Sequence, residues 1–212
     1  MELLHSFASV FVHLDTHLAD IIRDYGVWTY VILFLIVFCE TGLVVMPFLP
    51  GDSLLFAAGT FAATGAFHLA TLLLVLSIAA VLGDSINYAI GAAIGPKIFK
   101  QNRRFLNHEH LMRTRRFYEI HGAKTIMLAR FLPIIRTFAP FIAGIGKMRY
   151  EVFATYNVLG GILWTFSFTL LGYLFGNIPV VRDNFSFVIL GIVVISLIPM
   201  AMEYLRGHKK GF

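Results

Sequence analysis

The stretch that decides the fold is CETGLVVMPFLPGDSLLFAAG, residues 39–59, because it combines strong hydrophobicity with charge and with helix-breaking residues. Two carboxylates, Glu40 and Asp52, lie in this apolar segment, and between them come Pro47, Pro50 and Gly51. Proline removes a backbone donor and clashes with the preceding helical turn, while glycine weakens a helix. We therefore expect a helix to end inside this segment, with Pro50 and Gly51 supporting a turn of the chain.

The composition of the whole chain indicates an integral membrane protein. Its 212 residues are 58% hydrophobic and only 14% of them are charged, whereas soluble domains carry roughly a quarter of charged residues. About 20 apolar residues span the hydrocarbon core of a bilayer, and apolar runs of this kind occur near 26–46, 69–95, 150–176 and 185–205. The sequence thus predicts an all-α integral membrane protein with about four transmembrane helices.

Two further apolar segments, near 47–66 and 124–146, are interrupted by proline, glycine and charged residues. We expect both to be re-entrant helical hairpins, which enter the membrane, turn at proline and leave on the same side, with protein or water shielding the turn. The basic segment 96–123 and the basic tail after residue 205 should both be cytoplasmic by the positive-inside rule. A full crossing at 124–146 would separate them, so the hairpin reading agrees better with the charges and places both termini in the cytoplasm.

The chain is expected to form a single membrane domain, residues 1–212, built around an inverted repeat. PFLPGDSLLFAAGTF resembles RFLPIIRTFAPFIAGIG, and VLGDSINYAIGAAIG is echoed by VLGGILWTFSFTLLGYLFG. The first repeat would cover 25–95 and the second 124–176, followed by a C-terminal helix at 185–205. Oppositely oriented repeats are frequent in transporters, although chance similarity of apolar segments is an alternative. Residues 1–24 have apolar residues at helical spacing, which predicts an amphipathic helix.

Five charged residues fall within the membrane segments: Glu40, Asp52, Asp84, Arg130 and Arg136. An unpaired charge at the bilayer centre costs at least about 2.5–3.5 kcal/mol, so these groups must meet one another, water or a polar ligand. Asp52 follows the first FLP motif and Arg136 follows the second, and we expect this acid and this base to pair where the hairpin tips meet. Glu40 and Arg130 would extend the network. A structural ion-pair network is one interpretation, and a pathway for substrate and protons is the other.

The two arginines flank Pro133 in ARFLPIIRTFAP, where Pro133 is expected to support the second turn. Guanidinium groups bind phosphate in a bidentate fork, and helix N-termini present free N–H groups to anions. A phosphorylated lipid head group therefore suits Arg130 and Arg136. Glu40 and Asp52 suit a coupling proton, because a carboxylate in a poorly hydrated cavity favours protonation.

The motif GDSINYAIG places polar and small residues on one face of a transmembrane helix. Three- and four-residue steps along this helix connect Asp84 to Asn87 or Tyr88, and then to Gly91. Residues at these steps share one helix face. Hydrogen bonding between helices against small residues explains this face. A supporting role for Asp84, Asn87 and Tyr88 in the charged site is the alternative.

Other chemistries find less support in the sequence. His13 and His17 lie one helical turn apart near Asp20, but no further metal ligand is evident, and a solvated polar helix face explains these residues. We therefore expect neither a metal nor another cofactor. Cys39 is the only cysteine, which excludes an intrachain disulfide. A lipid phosphatase usually needs a histidine nucleophile or base, and 124–176 contains no histidine, so we expect no enzyme and no catalytic residue. Basic segments beside membrane spans indicate topology or anionic lipid rather than nucleic acid.

Taken together, four motifs resemble the bacterial DedA family: FCETGLVVMPFLPGDSLLFAAG, GDSINYAIG, FYEIHGAKTIMLARFLPIIRTFAPFIAGIGKMRY and YNVLGGILW. The resemblance runs through nearly the whole chain, and the wider superfamily, called VTT or SNARE-associated, includes eukaryotic lipid scramblases. It implies a bacterial inner-membrane protein with opposed re-entrant hairpins that returns undecaprenyl phosphate or another phospholipid across the membrane, with a dependence on the proton gradient. The acidic pair of the family falls on Glu40 and Asp52, and its arginines fall on Arg130 and Arg136.

We therefore expect a membrane lipid translocase of the flippase or scramblase type, with a phosphorylated lipid and protons as its partners. A proton-coupled transporter of a small cation or drug, with Glu40 and Asp52 as the exchanging acids, is the main alternative. A structural or assembly protein is a further one. The sequence leaves open the lipid, the direction of transport, the coupled ion and whether the chain forms a homo-oligomer.

Overall fold

The computed structural model describes residues 25–43, 51–98 and 118–176, together with positions 178, 179, 181, 188 and 191. Every regular element in these ranges is helical, which confirms the all-α class for this part of the chain. Several sequence predictions fall outside the described residues: the amphipathic helix at 1–24, most of the basic segment 96–123, Pro50, and all but two positions of the helix at 185–205.

The described helices, in chain order, are α1 (Trp28–Gly42), α2 (Gly51–Ala63), α3 (Leu69–Ile98), α4 (Thr125–Ala129), α5 (Pro133–Ile145) and α6 (Tyr150–Phe175), with a turn of 3-10 helix at Gly122–Lys124. The helix break expected around Pro133 is confirmed. Helix α4 ends at Ala129, Leu132 is extended, and α5 begins at Pro133. Proline suits the first helical position because its φ is preset and its missing N–H would have no partner there.

Helices α3 and α6 are long and apolar enough to cross a bilayer. The most apolar 18-residue window has a mean hydropathy of 2.2 within Leu69–Ile94 and 1.7 within Tyr150–Phe175, and each of these segments is 26 residues long. A helix of that length extends ~39 Å, whereas the hydrocarbon core is ~30 Å thick. The spans predicted near 69–95 and 150–176 are therefore confirmed as apolar helices of sufficient length.

One face of α3 is apolar and exposed at four-residue steps: Leu74, Ile78, Leu82 and Ile86. Residues four apart lie on the same side of a helix. Asp84 and Asn87 on the same helix are buried. This division, with polar groups inside and large apolar groups outside, is the arrangement expected of a helix surrounded by lipid.

Helices α1 and α2 are shorter than the bilayer core. Their 15 and 13 residues correspond to ~22 Å and ~20 Å. The length of α2 suits the re-entrant segment predicted near 47–66, and the segment near 124–146 is divided into α4 and α5. The insertion of these segments from one side, the span near 26–46 and the number of crossings stay predictions.

The chain divides into two compact units, one formed by residues 1–34, 50–75 and 165–212 and the other by 35–49 and 76–164. In the first unit, α2 packs closely on the C-terminal part of α6. Gly172 lies against the backbone of Phe56, and the Thr60 hydroxyl is 3.2 Å from the carbonyl oxygens of both Phe56 and Gly172. Small residues allow two helix backbones to approach in this way.

In the second unit, α5 packs on the C-terminal part of α3 through the same device. Gly91 lies against the backbone of Phe141, and Gly144 lies against the backbone of Tyr88. Phe153 of α6 is fully buried in a core cluster that α4 and α5 also supply. This packing positions α5, which carries Arg136.

Each predicted repeat contains a short helix followed by a long one. The short helix is α2 or α5, and the long helix is α3 or α6. The short helix of each predicted repeat packs on the long helix of the other. The internal repeat and its inversion both stay predictions.

Candidate functional site

Arg136 and Glu40 form an ion pair in the second unit. Arg136 lies in the first turn of α5, and Glu40 lies near the C-terminal end of α1. The Nη2 atom of Arg136 is 3.3 Å from Oε1 of Glu40, and the two side chains are 10% and 7% exposed. The pair is therefore shielded from solvent, and its separation is at the long end of charge-assisted contacts.

Trp164 of α6 supports the guanidinium of Arg136 from another direction. The Cζ atom of Arg136 lies 4.0 Å from the centroid of the indole ring, and Trp164 is fully buried. A cation over an indole face at this distance is attracted by the negative face of the ring. Arg136 is thus held between a carboxylate and an aromatic face.

Arg130 forms a second and more deeply buried ion pair at the break between α4 and α5. Its Nη2 atom is 2.7 Å from Oδ2 of Asp84, and the side chains of Arg130 and Asp84 are 1% and 4% exposed. The same nitrogen donates to Oδ1 of Asn157 at 2.6 Å and to the carbonyl of Ala80 at 3.4 Å. These contacts connect the broken segment to α3 and α6.

Asn157 orders this second pair through its amide. While its oxygen accepts from Arg130, its nitrogen donates to the Val81 carbonyl at 3.0 Å and to the Ser85 hydroxyl at 3.2 Å. A side chain at Gly160 would contact the Arg130 side chain. The glycine therefore leaves the room in which the guanidinium lies beside α6.

Asn87 of α3 connects the backbones of α1 and α5. Its side-chain nitrogen donates to the carbonyl of Thr41 at 3.3 Å and to the carbonyl of Thr137 at 2.9 Å. Thr41 follows Glu40 in the sequence, and Thr137 follows Arg136. Asn87 is fully buried.

Two tyrosines hold the surroundings of α5. The Tyr88 hydroxyl donates to the Met148 carbonyl, and its ring stacks on Phe153 with centroids 4.5 Å apart. The Tyr118 hydroxyl donates to the Ala139 carbonyl of α5 at 2.9 Å. Burial raises the pKa of the Tyr118 phenol, and the negative charge of Asp84 raises it further, so this phenol keeps its proton and its hydrogen bond.

The structure brings four of the five predicted membrane charges together in one unit, but the pairing differs from the one expected. Glu40, which was expected together with Arg130 only to extend the network, pairs with Arg136, and Arg130 pairs with Asp84. The physical reason is the break after α4, because helical periodicity cannot be continued through an extended residue to tell which acid each arginine faces. Asp52 is half-buried in the first turn of α2 and belongs to the other unit, so its pairing with Arg136 stays a prediction.

The remaining predicted site residues take simpler places. Pro133 begins α5 and Gly51 is the first described residue of α2, whereas Pro50 lies outside the described residues, so the turn at Pro50 and Gly51 stays a prediction. Tyr88 packs with aromatic residues rather than with the charged groups. Asp84 is a direct partner in an ion pair, which is a larger role than the supporting one suggested by its helix face.

Sequence reasoning missed Asn157 and Trp164. Asn157 has a detectable signal, because it is an amide three residues before Gly160 in an otherwise apolar span, and buried polar groups in a membrane need a partner. Trp164 has no such signal, since an indole in an apolar run is typical of packing. Among the described residues no group of three histidine, cysteine, aspartate or glutamate side chains is placed to hold a metal, and His13 and His17 lie outside them.

Comparison with known proteins gives consistent results. Residues 49–174 match the sequence family described as VTT domain. The chain is 51% identical to Protein DedA of Escherichia coli (strain K12) over 213 residues, covering 99% of this chain and 97% of that protein. It is 45% identical to an uncharacterized membrane protein of Mycobacterium leprae, covering 82% and 78%.

A further relative is the inner membrane protein YqjA of Escherichia coli (strain K12), which is 36% identical over 154 residues, covering 71% of this chain and 69% of that protein. No solved structure matches the chain. The matched family region contains α2 to α5 and nearly all of α6, so it includes both arginines and Asp84.

Proposed function

Because the chain belongs to the DedA family of membrane proteins, we propose that it is a lipid translocase that moves undecaprenyl phosphate or another phospholipid across the bacterial inner membrane, coupled to protons. The observation that carries this proposal is the shielded Arg136–Glu40 pair at the start of α5. Relatives described as membrane and inner membrane proteins support the location. Both termini are proposed to be cytoplasmic, from the basic segments.

Arg136 is the proposed receptor for the lipid phosphate. It lies in the first turn of α5, whose N-cap Leu132 forms no side-chain capping bond, and the first N–H groups of a helix have no intrahelical acceptor. Guanidinium and helix N–H groups together form a favourable anion site. A phosphate that reaches Arg136 would replace the carboxylate of Glu40 and keep the guanidinium neutralised.

Glu40 is the proposed proton-exchanging group at this position. While ionised it neutralises Arg136 and competes with a phosphate for the same donors. Protonation removes its negative charge and weakens the pair, since an opposite charge favours only the ionised carboxylate. Loading of an anionic lipid would therefore accompany proton uptake, and release of the lipid would accompany return of the carboxylate to the arginine.

We propose an indirect role in lipid transport for Arg130, and a second proton-exchanging role for Asp52, which lies in the other unit. Arg130 is already bound by Asp84 and Asn157, so we assign it mainly to the shape of the break between α4 and α5. Asp52 is the second proposed proton-exchanging acid and the proposed alternative partner of Arg136.

Disulfide crosslinking tests whether Asp52 approaches Arg136. The variant carries Asp52→Cys and Arg136→Cys in a Cys39→Ser background. The absence of a crosslink at this pair and at neighbouring pairs would reject the approach.

The decisive experiment is reconstitution in liposomes with labelled undecaprenyl phosphate and, in parallel, a labelled glycerophospholipid. We expect lipid movement above that of empty vesicles, a response to an imposed pH gradient, and a loss of about tenfold or more for Arg136→Gln. The matched control is Arg149→Gln, which breaks an exposed arginine–carboxylate pair with Glu151 and should leave the rate unchanged.

Lipid movement equal to that of empty vesicles, with and without the gradient, would reject the proposal. Proton flux that depends on a small cation or drug and not on lipid phosphate would assign Glu40 and Asp52 to cation transport instead. Equal rates for both lipids would leave the translocase role intact and define its substrate class as phospholipids in general.

A further inference from the structure

Asn87 stands between the two backbones that carry the Glu40–Arg136 pair. Its amide nitrogen donates to the carbonyls of Thr41 and Thr137, and these residues directly follow the two members of the pair. One side chain of α3 thereby connects the end of α1 to the first turns of α5. At the other ion pair the neighbouring amide, Asn157, binds the Arg130 side chain itself.

The chemistry of the two partners fixes the orientation of this amide. Both partners are carbonyl oxygens, which only accept, so the NH₂ group and not the oxygen must face them. The Oδ1 atom of Asn87 then has no hydrogen-bond partner among the described residues, and the whole residue is 0% exposed. A buried acceptor without a partner costs free energy that a leucine of similar size would not. What asparagine supplies here, and leucine would not, is the pair of donated hydrogen bonds.

The Glu40–Arg136 contact is sensitive to the positions of α1 and α5. The guanidinium is held by Trp164 on α6 as well as by the carboxylate, but the 3.3 Å separation leaves little room for α1 to move before the ion pair is lost. Asn87 binds the backbone on both sides of this pair. Loss of its two bonds would free the end of α1 relative to α5.

We propose that Asn87 is a positioning residue that fixes the separation of Glu40 and Arg136 by holding α1 to α5, and so sets how readily the pair opens to a lipid phosphate. The effect on transport rests on the proposed translocase function. The effect on the ion pair itself does not, and the two can be measured separately.

The first measurement is a double-mutant cycle for Glu40→Gln and Arg136→Gln, performed with Asn87 and again with Asn87→Leu. Unfolding of the purified protein in mixed micelles gives the equilibrium constants. We expect a coupling of about tenfold between the two charges when Asn87 is present. With Asn87→Leu we expect that coupling to fall to within about twofold of none, because the two charges are no longer held at a fixed distance.

Tyr118→Phe is the matched control, because it also removes one buried side-chain bond to the backbone of α5, at Ala139, without touching α1. Coupling between Glu40 and Arg136 should be unchanged in this variant. A general loosening of α5 would instead lower the coupling in both Asn87→Leu and Tyr118→Phe, and that result would reject a specific role for Asn87.

The second measurement is lipid movement in the same proteoliposomes. Asn87→Leu should slow it by about tenfold or more, since displacement of a positioned group by an ångström can have effects of this size, and Tyr118→Phe should not. If the wild-type protein moves no lipid while the coupling still falls in Asn87→Leu, the proposed function fails and the positioning of the pair stands. If lipid moves and the coupling is the same in both backgrounds, the inference about Asn87 is overturned.

Asn87→Asp provides a second variant of nearly the same shape. A protonated carboxyl group can donate to only one of the two carbonyls and an ionised one to neither, so Asn87→Asp should lower the coupling as Asn87→Leu does. Retention of full coupling in Asn87→Asp would overturn the inference. If neither variant yields a folded protein, Asn87 maintains the unit as a whole and the specific positioning role is rejected.

Discussion

Replacement of Asp84 by leucine should destabilise the protein by about 3 kcal/mol, because it leaves the guanidinium of Arg130 buried without its counter-charge. The two side chains are 4% and 1% exposed, and the ionic contact is 2.7 Å long. Breaking a buried pair from one side costs about 3–5 kcal/mol in general. The lower end applies here, since Asn157 and the Ala80 carbonyl continue to accept from Arg130.

The opposite substitution tests the same ion pair from the arginine side. Arg130→Met leaves the Asp84 carboxylate buried and should also cost about 3 kcal/mol, whereas the double variant Asp84→Leu/Arg130→Met should lie within about 1 kcal/mol of the wild type. An apolar pair of similar volume frequently replaces a buried ion pair without loss. The coupling between the two positions should then be about 5 kcal/mol.

Equilibrium unfolding in mixed micelles, followed by helical circular dichroism, measures all four proteins of this cycle. The exposed pair of Arg149 and Glu151, at 78% and 82% exposure, serves as a control whose coupling should be at most a few tenths of a kcal/mol. Additive effects of Asp84→Leu and Arg130→Met would refute the reasoning, because they would mean that neither charge depends on the other for its burial.

Three further perturbations test separate parts of the structure. Gly144→Ala places a methyl group against the backbone of α3 and should lower the free energy of unfolding by about 2 kcal/mol. Gly42→Ala is the control: its methyl group meets its nearest atom at 3.4 Å, so the free energy of unfolding should change by less than about 0.5 kcal/mol. Equal effects of the two substitutions would contradict the close packing of α5 on α3. Trp164→Leu should weaken the support of Arg136 by about 1 kcal/mol and slow lipid movement in proteoliposomes, and an unchanged rate would show that the indole only fills space. Because the pKa of Tyr118 is raised, a spectrophotometric titration compared with Tyr118→Phe should show no phenolate from Tyr118 near pH 10. The contribution of this phenol to stability should be complete below about pH 10 and be lost as the pH rises further, because the phenol of the unfolded chain ionises above that pH. Ionisation of Tyr118 near pH 10 in the folded protein would disprove its burial.

The sequence was sufficient for features that depend on local chemistry. The lengths of α3 and α6 follow from continuous apolar runs, and the break before Pro133 follows from the geometry of proline. The need of the membrane charges for partners follows from the cost of burying them. Each of these inferences uses residues that are close together in the chain.

The pairing of the charges could not be obtained in the same way. The partner of Arg130 depends on how the end of α4 lies against α3 and α6. Gly160 of α6 permits a close approach of Met127 and Arg130, but a glycine does not specify that approach. The sequence therefore predicts only helix packing or a supporting role for Asp84, and it predicts no role for Asn157. Trp164 became informative only when the structure placed it against Arg136.

The two ion pairs of the second unit differ in a way that bears on the proposed cycle. The Arg130–Asp84 pair is short, almost inaccessible and reinforced by Asn157, so its opening would leave two charges in a poorly hydrated interior without their counter-charges. The Arg136–Glu40 pair is longer and rests partly on an aromatic face. In the proposed cycle a phosphate replaces Glu40 as the partner of Arg136, and no unpaired carboxylate is left behind provided that Glu40 takes up a proton. The proposed site therefore works by exchange of one anion for another, and its cost stays low only if proton uptake and lipid binding occur together.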